Sequence, residues 1–202
     1  VKFKGKLHDK TAQLNVSCDK FVLNDAFKMF NLSMPYKNDL GRLKSSFVAS
    51  YVGNIDKIDY KALKLKGNVY QYKSKNFGVD NFNFDLANNK LTTSVINGFL
   101  HDSKYNLKVT VNNIEKPRIY ANYNIQNFNL QYINNFADYI NLKDFKNISG
   151  YVSLKGNISN NEIASDVIVN NIYALYSPLN IPLKIQNNKF LIRKSQLNLN
   201  KL

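Results

Sequence analysis

Apolar and polar residues alternate with a period of two along most of this chain. Leu63, Leu65, Gly67 and Val69 alternate with Lys64, Lys66 and Asn68. Tyr105, Leu107, Val109 and Val111 alternate with Asn106, Lys108 and Thr110. The same rhythm runs through Ile119, Ala121, Tyr123 and Ile125, through Val152, Leu154, Gly156 and Ile158, and through Leu179, Ile181, Leu183 and Ile185. Successive side chains of a strand point to opposite faces, so this pattern predicts antiparallel strands with one dry and one wet face. Asn54, Asn88-Asn89, Asn112-Asn113, Asn160-Asn161, Asn170-Asn171 and Asn187-Asn188 punctuate the runs. Asparagine tolerates a left-handed backbone and closes Asx turns, so each is an expected turn. Only two segments have helical spacing. Leu23 to Phe30 places Phe27 and Phe30 on one side. Leu130 to Ile140 groups Leu130, Ile133, Phe136, Ala137 and Ile140 as a docking face.

Two short helices cannot cover the dry side of more than ten strands. The expected fold is therefore mainly β: a long, twisted antiparallel repeat sheet curled over its own apolar face into an elongated groove or half-pipe. The interior is then filled by side chains, as in a sandwich or solenoid, or left as an apolar trough.

Internal repetition supports an array. Gly5-Lys6-Leu7-His8-Asp9 followed by Leu14-Asn15-Val16-Ser17 returns as Gly98-Phe99-Leu100-His101-Asp102 followed by Leu107-Lys108-Val109-Thr110. A second echo links Val52-Gly53-Asn54-Ile55 to Lys155-Gly156-Asn157-Ile158. The expected units are residues 1–97 and 98–202, each leaving apolar surface for its neighbour to cover. The chain begins at Val1, with no initiator Met, and reads as a piece of a longer protein.

Charge changes the picture less than its size suggests. There are 28 Lys+Arg against 14 Asp+Glu, a net charge of +14. Only Arg42, Arg118 and Arg193 supply the bidentate donors favoured for phosphate and guanine, and the lysines are spread along the chain rather than clustered. Nucleic acid is not the expected partner; an anionic lipid surface is compatible with the same charge. Cys18, the single cysteine, lies in the alternating run Ala12, Leu14, Val16, Cys18 and reads as a buried apolar residue. No run approaches the ~20 apolar residues of a membrane helix.

Candidate chemistry is sparse. His8-Asp9 and His101-Asp102 are the only histidines and could each form half of a catalytic triad. Both occupy the same point of the repeat, where a turn or surface role suffices. No zinc spacing and no phosphate-cradling glycine loop is present. The expectation is a protein that is not an enzyme, with no catalytic residue, no metal and no cofactor. The 13 Tyr and 13 Phe either pack in half-buried strands or line the wet rim of a lipid-contacting groove.

The stretch from Phe128 to Leu199 carries a family resemblance. A short helix (Leu130 to Ile140) leads to Gly150-Tyr151-Val152-Ser153-Leu154-Lys155-Gly156-Asn157-Ile158, then a strand through Val167-Ile168-Val169. Tyr176-Ser177-Pro178-Leu179-Asn180-Ile181-Pro182-Leu183 follows, and Phe190-Leu191-Ile192 through Leu199 closes the unit. This order resembles the carboxy-terminal region of the AsmA-like family of bacterial envelope proteins, which includes TamB-type relatives; Gly41 to Val111 resembles the preceding module more loosely. The resemblance implies a β half-pipe in the periplasm of a Gram-negative-type bacterium, anchored to the inner membrane by an amino-terminal helix. It implies a non-enzymatic hydrophobic conduit that moves phospholipid between inner and outer membrane or serves outer-membrane biogenesis, with other envelope proteins as possible partners. The residues expected to line the groove and meet acyl chains are Leu63, Leu65, Val69, Leu107, Val109, Val111, Ile119, Tyr123, Ile125, Val152, Leu154, Ile158, Ile181, Leu183 and Ile185. The rival expectation is a structural or adhesive β-repeat module with a self-packed core that binds protein or glycan.

Overall fold

The computed structural model describes residues 2–8, 10–22, 42–136, 141–160 and 162–196. The chain forms one antiparallel sheet that does not close into a barrel. In chain order its strands are β1 (Lys2–His8), β2 (Thr11–Val22), β3 (Lys44–Asn54), β4 (Lys64–Val69), β5 (Tyr72–Lys73), β6 (Phe77–Val79), β7 (Phe82–Ala87) and β8 (Lys90–Thr93). There follow β9 (Ile96–Leu100), β10 (Ser103–Asn112), β11 (Arg118–Asn129), β12 (Phe145–Ser159), β13 (Glu162–Tyr176), β14 (Ile181–Ile185) and β15 (Asn188–Gln196).

The connectivity is that of a simple meander once the short strands are joined. β4 pairs with β7 while β5 pairs with β6, β8 and β9 both lie along β10, and β14 and β15 both lie along β13. Each of these couples is one long strand with a break in it. Polar side chains take over the ladder at the breaks. The Gln71 N–H donates to Asn81 Oδ1, the Asn83 N–H to Ser94 Oγ at 3.0 Å, and the Val109 N–H to Thr93 Oγ1 at 3.0 Å. These three N–H groups, freed from the ladder by the breaks, are thereby satisfied.

Other strands bend through bulges. The register slips by one residue on β11 at Asn127, on β12 at Asn147 and on β13 at Asn171, and all three residues have positive φ. A bulge bends its strand and increases its twist, so a row of them curls the sheet. Asn170-Asn171 was an expected turn; it lies inside β13 instead. The opposing slip at Asn147 on β12 restores the register, so both strands continue for 15 residues.

Several expected turns form as the sequence predicts. Asn88 and Asn89 both have positive φ and close β7 to β8 as a two-residue hairpin of the mirror-image type. The Asp56 N–H donates to Asn54 Oδ1 at 2.8 Å, an Asx turn. His101, at φ 50°, turns β9 into β10.

The two helical expectations fare differently. Leu23 to Phe30 lies outside the described residues. Leu130 to Ile140 appears as a 3-10 helix, Leu130–Phe136, with residues 137–140 outside the description. Asn134-Asn135 are poor helix formers. The Asn129 carboxamide oxygen accepts the Gln131 N–H at 3.1 Å and holds the entry. Phe136 meets Phe128 edge-on at 5.9 Å, so the turn docks as expected. The expected boundary between residues 97 and 98 falls within β9, and the sheet runs across it without interruption.

Candidate functional site

Directly paired residues of an antiparallel ladder share a face, so the registers fix which side chains lie together. Across the sheet run Val16, Ala49, Leu65, Leu86, Leu91, Val111 and Ile119. A parallel row joins Ile96, Leu107, Tyr123, Gly156, Ser165 and Ile192, and another joins Tyr105, Ile125, Leu154, Val167 and Phe190. All of these rows lie on one face. No charged residue has a register position on it.

Of the groove-lining residues expected from the sequence, Leu65, Val69, Leu107, Val109, Val111, Ile119, Tyr123, Ile125, Val152, Leu154 and Ile158 share this face. Ile181, Leu183 and Ile185 join it through their pairing with Tyr176, Ala174 and Ile172, because the Asn171 bulge resets the alternation of β13. Leu63 is the exception: it precedes β4 and has no ladder partner. The same face also holds Leu7, Leu14, Leu86, Leu91, Phe190 and Ile192, which were not among the expected lining residues. Phe190 and Ile192 alternate with Leu191 and Arg193, so the period-two signal was present there. Leu86 ends the alternation of Phe82, Phe84 and Leu86 with Asn83 and Asp85, so the signal was present there too, whereas Leu91 stands in a strand of four residues, too short to display a period.

The dry face is the interior in part only. Every buried side chain that has a register position lies on it, from Ala12 through Val69, Leu86 and Ala121 to Val169 and Ala174. Most of the expected lining is half-buried, and the ends are open: Leu7 is 67% exposed and Ile181 45%. The accessible surface of 13845 Å² exceeds the roughly 9,700 Å² of a compact monomer of this mass.

Aromatic rings fill in where the face would be thin. The Phe84 ring lies over Gly67, and the Tyr123 hydroxyl sits 2.8 Å from where a Cβ on Gly156 would stand. The Tyr105 hydroxyl donates to the Gly78 carbonyl at 3.1 Å. Burial, helped by the nearby Asp80 carboxylate, pushes this phenol up to about 12. Phe84, Tyr105 and Tyr123 are half-buried strand residues on the apolar face, whereas Phe99, Tyr120, Tyr151 and Tyr173 have their register positions on the wet face.

The wet face has the opposite character. Every lysine with a register position lies on it, including Lys4, Lys66, Lys104, Lys108, Lys155 and Lys189. Lysines spread along the sequence are therefore gathered in space. A depression of about 590 Å³ on this side is lined by short polar groups such as Ser46, Asn68, Asn83 and Thr92, with the Lys66–Asp85 pair at 3.2 Å.

The candidate catalytic pairs do not converge. His8 ends β1 on the wet face at the sheet edge. His101 stacks on Tyr132 with ring centroids 3.5 Å apart, and burial lowers its pKa, opposed by Asp102. Cys18 is buried on the dry face, as expected. Among the described residues no group of three His, Cys, Asp or Glu side chains could hold a metal, and no helix is long and apolar enough to cross a membrane.

No protein-family model matches the chain, and no curated protein or solved structure matches it.

Proposed function

We propose that this protein is a non-enzymatic conduit for phospholipid acyl chains, an element of a longer AsmA-like envelope protein that carries lipid between membranes. One observation supports the reading above the rest: an apolar face without a charged register position runs across eleven successive strands, half-buried over much of its length and open at its ends. At ~4.8 Å per strand the face is about 48 Å long. The hydrocarbon layer of one leaflet is only about 15 Å thick.

The energetics fit. Exposing two sixteen-carbon acyl chains to water costs on the order of 20 kcal/mol, at ~0.8 kcal/mol per methylene. A continuous dry track removes most of that cost without a specific pocket. Tyr and Phe side chains add apolar area, and the phenolic tips let headgroups stay hydrated at the rim. A charge on the track would be costly to desolvate, which suits the segregation of lysine to the other face.

The rival reading, a structural or adhesive module with its own filled core, draws on one local feature. Leu43, Val69, Phe77 and Val79 form a closed cluster around the broken strands. Native mass spectrometry of the chain purified from a lipid-containing host separates the two. A conduit co-purifies with phospholipid and loses it in Leu65→Lys and Val109→Lys variants. A folded chain of bare mass supports the filled-core module.

A further inference from the structure

We infer that the lysine-rich wet face is a docking surface for an anionic phospholipid membrane, distinct from the acyl-chain track and independent of it. The first ground is the one-sidedness of the charge. Among the described residues all lysines with a register position share this face, whereas the only carboxylates with one are Asp85, Glu162 and Asp166. Two of these are already engaged, Asp85 with Lys66 at 3.2 Å and Asp166 with Lys189 at 3.8 Å and Arg193 at 3.9 Å. The remaining lysines of β1, β10 and β12 are exposed.

The second ground is spacing. Lys2, Lys4 and Lys6 alternate along β1, so neighbours are about 6.8 Å apart. This spacing is shorter than the Debye length of about 10 Å at 0.1 M salt. The β1 lysines therefore act together, and further rows on β4, β10 and β12 repeat the charge across the same face, the first of them three strands, about 14 Å, away.

The third ground distinguishes lipid from nucleic acid. Lysine supplies nearly all of this charge, with Arg118 the one arginine in register. Exposed apolar side chains stand among the lysines: Val48 at 58%, Val52 at 60%, Ile168 at 44% and Leu191 at 61%. Ile168 pairs with Lys189, and Val48 with Lys66. Apolar groups interspersed with lysine gain contact at a headgroup boundary. A phosphodiester backbone offers them nothing.

The test is co-sedimentation of the chain with vesicles of phosphatidylcholine alone or of phosphatidylcholine with phosphatidylglycerol. The expected result is binding to the anionic vesicles only, weakened by added salt. Each lysine contributes about fivefold, so a Lys4→Gln, Lys104→Gln, Lys155→Gln triple variant should bind about a hundredfold more weakly. All three side chains are exposed, and unchanged circular dichroism confirms folding. Val109→Lys, on the opposite face, should bind vesicles normally even where it abolishes lipid loading. Equal binding to both vesicle types overturns the inference. So does full binding by the triple variant, loss of binding through Val109→Lys alone, or tighter binding to duplex DNA than to anionic vesicles at the same salt.

Discussion

The bend around β5, β6 and β9 and the outer edge at β14 and β15 use the same kinds of side chain to opposite effect. At the bend, Val69 is 4% exposed, Val79 3% and Phe77 8%. At the edge, Ile181, Leu183 and Phe190 on the same face are exposed by 45%, 42% and 42%. The difference lies in the backbone. Breaks between β4 and β5, β6 and β7, and β8 and β9 bring Tyr72, Phe77, Ile96 and Leu100 onto Leu43, Val69, Phe82 and Phe84. The β14–β15 break makes no comparable cluster among the described residues. Apolar alternation thus sets which face is dry, and strand breaks set how much of it is covered.

The comparison is broken most directly by truncation. Phe77→Ala should cost about 3–5 kcal/mol in urea unfolding, a large share of the stability of a domain this size. Leu183→Ala should cost less than about 1 kcal/mol, because its side chain is already half in water. Equal costs would mean that the edge is covered in solution.

A second contrast uses the two echoed glycines. A Cβ on Gly156 would press on the Ala164 carbonyl and come within 2.8 Å of Ser165 Cα, both backbone atoms that cannot swing away. One on Gly53 would meet the Tyr51 hydroxyl at 2.6 Å, the far end of a movable side chain. Gly156→Ala should therefore cost about 1–3 kcal/mol, and Gly53→Ala less. The reverse order in thermal unfolding would show that these copies are not packed as described.

Tyr105→Phe removes a single hydrogen bond to the Gly78 carbonyl and should cost about 0.5–1.5 kcal/mol. The Tyr105 phenol is raised from 10.0 to about 12. The stability it contributes is present below pH 10.0 and is lost as pH rises through about 12. Ultraviolet titration of the tyrosines should show one late phenolate that vanishes in the Phe variant.

The smallest effect belongs to His101. Its pKa is lowered from 6.5, so its contribution is present above pH 6.5 and fades as pH falls through the lowered value. His101→Asn suits the positive φ and should flatten that part of the pH–stability curve. An unchanged curve would remove the Tyr132 stack from the account.

Much of this face was legible in the chain, because the period of two is a local property. Leu107, Val109 and Val111 needed no structure to be placed together, nor did Lys64 and Lys66 opposite them. Register across distant strands was not legible. Asn127, Asn147 and Asn171 look alike in sequence to the turn residues Asn88 and Asn89. They form bulges because long partner strands continue past them. Lysines that look dispersed along the sequence fall on a single face only when the ladder stacks them. The type of the helix after β11 was not legible either, since apolar spacing says nothing about whether Asn134-Asn135 will carry an α-helix or a 3-10 helix.

Photo-crosslinking at two adjacent positions of β10 tests the central claim most directly. A benzophenone amino acid is placed at Val109 on the dry face or at Lys108 on the wet face, and the chain is irradiated in a lipid-containing host. The account predicts a phospholipid adduct through the acyl chain at Val109 and none of that kind at Lys108. Acyl adducts at both positions, or at Lys108 alone, would contradict it.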